Sequence, residues 1–178
     1  FGYDLGGRYL LPELLTRLNK ISGLRWIRLL YAYPSLVSRA LIESISRLDK
    51  VCHHLDMPLQ HINDRILKSM RRGTTSESTR RLLTRLRREI PDLALRTTFI
   101  VGYPGETERE FQELLDFIDE ARFDRLGVFA FSREEGSLAR NLPGQVPERV
   151  KQERVEAGML LQQKVSRENN QRLIGKIF

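Results

Sequence analysis

With 178 residues, of which 40% are hydrophobic, the chain has the size of one ordinary domain and enough apolar residues for a core. No run approaches the ~20 apolar residues that a membrane span needs. A net charge of +7 indicates an acidic partner such as RNA or the ribosome. Cys52, the only cysteine, excludes an internal disulfide framework, fits a reducing cytoplasm and cannot by itself hold an iron–sulfur cluster or structural zinc.

Apolar segments rich in β-branched residues alternate along the chain with segments of helical periodicity. The predicted strands are 25–31, 51–57, 93–101 and 125–131. The intervening helices are predicted to begin near Pro12, Ser35, Asn63, Ser76 and Thr107. This alternation predicts an α/β fold with a parallel sheet, either an open doubly wound sheet or part of a (β/α) barrel.

The last third of the chain is predicted to be a loop, a long helix and a further strand. Residues 132–147 contain two glycines and two prolines and are predicted to form the loop. Pro147 is predicted to start a polar helix of about five turns. Its apolar positions are Val150, Val155, Met159, Leu160 and Val165. Residues 172–178 look like the first strand of a further domain. Because the chain begins at Phe1 without a methionine, we interpret it as a fragment.

The stretch 96–108 is the most informative part of the sequence. A strand is followed by the turn Gly102-Tyr-Pro-Gly105, and Thr107 with Glu110 forms a capping box for the next helix. Strand alternation places Arg96, Thr98, Ile100 and Gly102 on one face, which we predict lines a pocket. Loops at the carboxyl ends of parallel strands are where such folds bind ligands.

Two residue sets have open alternatives. A charge in mid-strand is costly to bury unpaired, so Arg96 is expected either in a structural salt bridge or on an anionic group such as a carboxylate. Gln60, just past a strand end, can hydrogen-bond a nucleoside or stabilise its loop. Of the nearby histidines and acids, only Cys52, His54 and Asp56 can converge, and their spacing matches no standard zinc site, so we predict no metal.

The positive charge is concentrated between residues 68 and 88. The residues are Lys68, Arg71, Arg72, Arg80, Arg81, Arg85, Arg87 and Arg88. Two interpretations remain, a solvated helix face and an RNA-contacting surface on a basic helix over 71–88.

Several segments together resemble the methylthiotransferase branch of the radical S-adenosylmethionine enzymes. They are Leu55-Asp-Met-Pro-Leu-Gln-His61, Asp64-Arg-Ile-Leu-Lys-Ser-Met-Arg-Arg-Gly73, Arg96-Thr-Thr-Phe-Ile-Val-Gly-Tyr-Pro-Gly-Glu-Thr107 and Phe123-Asp-Arg-Leu-Gly-Val-Phe-Ala-Phe-Ser-Arg-Glu-Glu-Gly-Ser137. Within this branch, Pro-Leu-Gln-His61, Arg96-Thr-Thr98 and Arg133-Glu-Glu-Gly136 resemble the members that modify a ribosomal protein more than those that modify tRNA.

The resemblance implies a TIM-like partial barrel with parallel strands and a C-terminal linker helix. Residues 1–146 would be the C-terminal portion of the barrel, 147–171 the linker helix and 172–178 the start of a truncated RNA-binding-type (TRAM) domain. The cofactors would be S-adenosylmethionine and, in the intact protein, two four-iron four-sulfur clusters. By position, the S-adenosylmethionine site would include Gln60, Arg96, Thr98, Ile100, Gly102, Val128, Phe129 and Ala130, with the strand from Val128 to Phe131 flanking it.

The implied activity is transfer of a methylthio group to an aspartate of ribosomal protein S-twelve in the small subunit, in the cytoplasm and without a membrane partner. The alternatives are methylthiolation of a tRNA adenosine and a non-catalytic ribosome- or RNA-binding module. The family's Cys-x-x-x-Cys-x-x-Cys loop is absent from the sequence. We therefore assign no catalytic residue here and expect these 178 residues to be inactive alone.

Overall fold

The computed structural model describes residues 1–175, in which four strands alternate with six α-helices. In chain order they are α1 (Leu11–Asn19), β1 (Ile27–Leu29), α2 (Arg39–Arg47), β2 (Val51–Asp56), α3 (Asp64–Ser69), α4 (Ser76–Glu89), β3 (Ala94–Val101), α5 (Glu108–Ala121), β4 (Arg125–Ala130) and α6 (Glu148–Gln171). Short 3₁₀ helices lie at Tyr3–Leu5, Pro34–Leu36 and Leu138–Asn141. All four predicted strands are confirmed.

The strands form one parallel sheet in the order β1-β2-β3-β4. A doubly wound sheet reverses its strand order at a switch point, and this sheet does not. Each strand pairs only with its neighbours in sequence, as in a barrel. The structure therefore decides between the two predicted architectures in favour of a partial (β/α) barrel.

One face of the sheet is covered by helices and holds the core. In β3, Leu95, Thr97, Phe99 and Val101 are all buried on this face. Phe99 packs edge-on against Phe117 of α5 and Phe123, with ring centroids 6.1 and 5.9 Å away. Aromatic pairs in this arrangement contribute about 0.5–1.5 kcal/mol each beyond the area they bury. The opposite face, hereafter the open face, carries the more polar side chains.

Most helix starts follow their predicted caps. Asn63 Oδ1 accepts from the N–H groups of Arg65 and Ile66, and the capping box of Thr107 and Glu110 is present. The helix predicted to begin at Ser35 is displaced. A 3₁₀ turn occupies 34–36, and Ser38, not Ser35, accepts from the Leu41 N–H to start α2. Proline suits a first turn but does not by itself continue it into an α-helix.

The last helix differs from its prediction in length and in its buried side. With 24 residues it makes about seven turns, not five. Its buried positions are Lys151, Arg154, Gly158, Gln162 and Val165. The predicted apolar positions Met159 and Leu160 are instead 43% and 66% exposed.

Polar side chains of α6 are buried where the helix packs on the strands, because they hydrogen-bond to backbone carbonyls there. Gln162 Nε2 donates to the Phe123 carbonyl at 2.8 Å. Gly158 lets the helix approach β4, since a Cβ there would lie 3.0 Å from Val128 Cγ2. Apolar periodicity cannot detect a helix face built from amides, cations and glycine.

Two further predictions need correction. Residues 172–175 form turns, so the predicted strand at 172–178 does not begin there; residues 176–178 lie outside the described part of the chain. The basic region 71–88 is also not one helix. The chain leaves α3 at Arg71 with a φ of +55° and enters α4 only after Thr75, which caps it. None of the helices within residues 1–175 combines the length and the apolar character of a membrane span.

Candidate functional site

A cavity of about 360 Å³ lies at the carboxyl ends of β2, β3 and β4. Its lining comes from the segment after β2, the ends of β3 and β4, and the loop after β4. The lining residues are Gln60, Ser69, Met70, Arg71, Arg72, Ile100, Tyr103, Phe131, Ser137, Leu138 and Ala139. This strand-end cavity is in the size range of small-molecule sites, and its place matches that of ligands in parallel α/β folds.

Gln60 extends the pairing of β2 with β3 one step beyond the strand. Its N–H donates to the Thr98 carbonyl at 2.9 Å, and its carbonyl accepts from the Ile100 N–H at 2.8 Å. The backbone adopts a φ of +71°, which is uncommon for a residue other than glycine. Its side-chain Oε1 is buried and has no partner among the described residues. The backbone therefore stabilises the loop, while the side-chain oxygen stays an unpaired buried acceptor within residues 1–175.

The turn after β3 is held from outside the cavity. Gly102 and Gly105 have φ values of +71° and +78°, a region that only glycine enters without strain. The Gly105 N–H donates to the Gly144 carbonyl at 2.7 Å, which ties the turn to the loop before α6. A Cβ on Gly102 would point at Lys151 of α6. Because the strand ends at Val101, Gly102 does not share the open face as strand alternation predicts.

Arg96 makes the salt bridge that was one of its two predicted roles. Its Nη1 lies 2.6 Å from Oδ2 of Asp56, whose side chain is 1% exposed. The side chain of Arg96 is nevertheless 46% exposed on the open face. Asp56 Oδ1 is buried and has no partner among the described residues. The pair fixes the guanidinium in place and leaves part of it accessible to an anionic group.

The open face also borders a larger groove, of about 890 Å³, between β3, β4 and α6. Arg96, Arg125 and Phe129 contribute from the strands, and Met159 and Leu160 from the helix. The predicted site residues are thus divided between two places. Gln60 and Ile100 line the strand-end cavity, Arg96 and Phe129 line the groove, and Thr98 lies between Arg96 and Ile100 on β3.

The side chains of β4 alternate between the two faces. Phe129 pairs in register with Ile100 and is 58% exposed on the open face. Val128 pairs with Phe99, is buried and contacts Gly158 of α6. Ala130 pairs with Val101 on the same covered face. The side chains of Val128 and Ala130 therefore point away from the open face, where only Phe129 of this segment presents its side chain.

Two carboxylates beside the turn have pKa values that are shifted in opposite directions. Burial raises the pKa of Glu106 to about 7, against the opposing effect of Arg154, whose Nη1 lies 3.2 Å from its Oε1. Hydrogen bonds from Arg65 lower the pKa of Glu110 to about 2. The two groups belong to one network that joins the β3–α5 turn to α3 and α6.

Two of the three histidines, His53 and His61, contact backbone groups of the fold. Burial lowers the pKa of His61 to about 4, so it is neutral at pH 7, and its Nδ1 accepts from the Asn63 N–H at 2.9 Å. His53 Nδ1 lies 2.7 Å from the Pro91 carbonyl. Cys52, His54 and Asp56 alternate with the covered positions of β2, as predicted. Among residues 1–175, no three His, Cys, Asp or Glu side chains are grouped closely enough to hold a metal.

Sequence reasoning missed several residues of the strand-end cavity. Tyr103 and Phe131 form its aromatic wall, with ring centroids 5.3 Å apart. Arg71 and Arg72 border it from the end of α3. Phe131 is the last residue of the predicted strand 125–131 and so belongs to a segment expected beside the cofactor. Tyr103 lies two positions after the predicted strand 93–101, and that place beyond a strand end was the available signal. The cations of α6 beneath the turn gave no comparable signal.

The arginines of the basic region are largely engaged within the chain. Arg81 and Arg85 pair with Glu77 and Glu89 along α4, each at 3.0 Å. Arg80 pairs with Glu120. Arg87 donates to the Ala121 carbonyl, and Arg88 lies 3.0 Å from Glu89. These contacts favour the solvated helix face over a free cationic surface.

Comparison with known proteins identifies relatives over the whole chain. The chain is 51% identical over 178 residues to the ribosomal protein uS12 methylthiotransferase RimO of Pelotomaculum thermopropionicum, and 55% identical over 174 residues to that of Geobacter sulfurreducens. These alignments cover 100% and 98% of the chain but 40% and 39% of the relatives. The chain thus spans about two fifths of the length of the curated relatives it matches.

Solved structures agree on the fold. The coproporphyrinogen III oxidase HemN of Escherichia coli, described as a radical SAM enzyme, superposes with a TM-score of 0.68 at 20% identity, over 89% of this chain and 38% of its own. The radical S-adenosylmethionine methyltransferase TsrM of Kitasatospora setae gives 0.55 at 23% identity, over 67% and 24%. The family model of the radical SAM superfamily matches residues 5–118. The chain, with its parallel partial barrel and strand-end cavity, belongs to the radical SAM superfamily.

Proposed function

We propose that the chain forms the S-adenosylmethionine-binding part of a methylthiotransferase that, as a whole protein, modifies an aspartate of ribosomal protein uS12. The observation that carries the proposal is the strand-end cavity, in a chain that is 51% and 55% identical to two uS12 methylthiotransferases over 178 and 174 residues. Superfamily membership supports S-adenosylmethionine and an iron–sulfur cluster as cofactors.

The residues of the cavity suit the adenosyl part of this cofactor. Ile100, Tyr103 and Phe131 offer apolar and aromatic surface for a purine ring. The buried Oε1 of Gln60 lacks a partner, as expected of an acceptor kept for a ligand's N–H. The 360 Å³ volume is sufficient for a nucleoside-sized group. Bound together with a cluster, S-adenosylmethionine supplies radical chemistry and a methyl group.

Arg96 and Thr98 would orient the remainder of the cofactor on the open face. The pairing with Asp56 uses Nη1 of Arg96, so the planar guanidinium retains further N–H groups for a carboxylate. We propose that Phe129 also presents its side chain to the cofactor on the open face, and that Gly102, Val128 and Ala130 contribute through their backbone. The two-cluster assignment stays part of this proposal. One cysteine, Cys52, does not supply a cluster's ligands, which would come from outside these 178 residues.

RNA contact through residues 71–88 stays a prediction. The intramolecular partners of the α4 arginines do not support it, whereas no ion pair or hydrogen bond of the Lys68 or Arg71 side chain is seen within residues 1–175. The division into a barrel portion at 1–146, a linker helix at 147–171 and a TRAM-like start at 172–178 likewise stays a proposal. So does action in the cytoplasm.

Binding of S-adenosylmethionine to the whole protein tests the proposed site. We expect Ile100→Ala to weaken binding about tenfold in equilibrium dialysis, because it removes apolar wall from the cavity. Ile21→Ala, at a position that is 51% exposed and outside the cavity, is the matched control and should bind as the parent does. Equal affinity of parent and Ile100→Ala would contradict the site.

The substrate is tested separately, by mass spectrometry of ribosomal protein uS12 and of tRNA from a strain lacking the gene. Loss of the methylthio group from uS12 alone supports the proposal. Loss from tRNA adenosine alone would favour the tRNA-modifying alternative. No loss from either would favour a non-catalytic module.

A further inference from the structure

We propose that Lys151 and Arg154 of α6 are positioning residues for the strand-end cavity, holding the turn 102–106 and the end of β4 in the shape that accepts the cofactor. The inference rests on the proposed function, because it concerns residues that shape the same site. Neither residue lines the cavity. Lys151 acts through Phe131, which lines the cavity. Arg154 acts through the turn that carries Tyr103, which also lines it.

Lys151 fixes the wall formed by Phe131. It is 5% exposed, and its Nζ donates to the Phe131 carbonyl at 3.0 Å. The same Nζ lies 5.6 Å from the centroid of the Phe131 ring, within reach of a cation–π interaction. Its other partner is Glu148 Oε2 at 3.2 Å, on the first turn of the helix. The ammonium thus joins the start of α6 to the residue that follows β4.

The stem of Lys151 also interlocks with the turn after β3. A Cβ built on Gly102 would lie 2.3 Å from Lys151 Cγ, so the lysine stem occupies the space that any side chain at 102 would need. Gly102 has a φ of +71°, which already favours glycine. The helix and the turn can therefore approach closely because position 102 has no side chain and the stem of Lys151 fills that space.

Arg154 fixes the other end of the turn. Its Nη1 donates to the carbonyl and to Oε1 of Glu106, each at 3.2 Å, and its Nη2 to Glu108 Oε2 at 3.1 Å. Glu106 in turn accepts from the Tyr103 N–H through Oε2 at 3.0 Å. The contacts form a continuous path from the helix, through Glu106, to the aromatic residue that lines the cavity.

Stability alone is a poor reason for these two residues. Burying a cation costs desolvation energy, and apolar side chains of similar volume often stabilise an interface at least as well. What apolar side chains cannot do is fix particular carbonyl and carboxylate oxygens. Both cations do so, and the oxygens belong to the segments that form the cavity.

The test uses the whole protein with Lys151→Met and Arg154→Met, which retain much of the stem and remove the charge. Arg149→Met is the matched control, an exposed cation of the same helix that pairs with Glu153. Three quantities are measured: the dissociation constant for S-adenosylmethionine, amide hydrogen exchange in residues 100–107, and the urea midpoint of unfolding.

In variants shown to be folded under the assay conditions, we expect about tenfold weaker binding and at least tenfold faster exchange of the Tyr103 amide. The control should change neither. A purely structural role would lower the urea midpoint and leave the affinity of the folded protein unchanged, and that result would overturn the inference. Where Arg154→Met does not fold, Arg154→Lys serves, because it keeps the charge but cannot make the paired guanidinium contacts. Where Lys151→Met does not fold, Lys151→Arg serves, because it keeps the charge but replaces the ammonium that contacts the Phe131 carbonyl.

The two proposals fail in different ways. A parent protein that does not bind S-adenosylmethionine would refute the proposed function, while the exchange measurement would still decide whether the cations hold the turn. A parent that binds, with folded variants that bind within twofold of it, would refute the positioning role alone.

Discussion

The two faces of the sheet differ although the same strands build both. On the covered face Phe99 is fully buried between two other aromatic rings, whereas Phe129 on the open face is 58% exposed. Arg96, between two buried neighbours of β3, reaches the open face. The covered face stabilises the fold, and the open face holds the polar and aromatic groups that remain available for a ligand. Orientation, rather than residue type, decides which role a side chain has.

The largest expected effect separates the two phenylalanines. Phe99→Ala should lower the free energy of unfolding by about 3–5 kcal/mol, because it leaves a cavity among buried rings. Phe129→Ala removes the same atoms from a mostly exposed position and should cost less than about 1 kcal/mol. Urea unfolding of the two variants measures the difference. Similar costs would mean that the open face is also a packed interface.

A second comparison sets Glu106, covered by α6, against the more accessible Glu110. The folded-state pKa of Glu106 is raised to about 7, so its contribution to stability is present at low pH and is lost as the pH rises from about 4.5 to 7. The pKa of Glu110 is lowered to about 2, so its contribution is present above about 4.5 and is lost as the pH falls towards 2.

Glu106→Gln should therefore remove a decline in unfolding free energy, on the order of 3 kcal/mol, between pH 5 and pH 8. Glu110→Gln should leave that range unchanged and remove a loss of stability below pH 4.5. Urea unfolding at several pH values measures both slopes. An unchanged slope for Glu106→Gln would show that Arg154 keeps this carboxylate ionised throughout.

The smallest expected effect concerns the ion pair of the open face. Arg96→Met leaves Asp56 buried without its partner, which should cost about 1–2 kcal/mol, less than for a fully buried pair because Arg96 is half exposed. Adding Asp56→Asn should recover part of that loss, since the neutral amide is cheaper to bury. A double variant less stable than Arg96→Met would show that Asp56 is stabilised by groups other than Arg96.

Much of this fold follows from local patterns. The four strands and the parallel sheet are predictable because burial of one face gives a strand a period of two. The capping box at Thr107 is predictable because few residue types can cap a helix start. The choice between a barrel and a doubly wound sheet is not readable, because both use the same unit. Only the observed strand order decides it.

The site was predicted less completely than the fold. Strand alternation correctly placed Arg96, Thr98 and Ile100 on one face, but it failed at Gly102, where the strand has ended and φ is positive. It could not foresee that the side chain of Tyr103 lines the cavity. Nor could it find Lys151, whose burial depends on a carbonyl 20 positions away in sequence. Such contacts exist only after the units have packed together.

The consecutive strand order has a consequence for how the chain is made. Each new strand pairs with the one synthesised just before it, so the sheet can grow in the direction of translation without waiting for distant segments. The entropy lost in closing each loop is that of a single βα unit, which keeps the ordering cost of every addition small. The helix α6 is synthesised after β4, so it can pack against the turn 102–106 once the strands have paired.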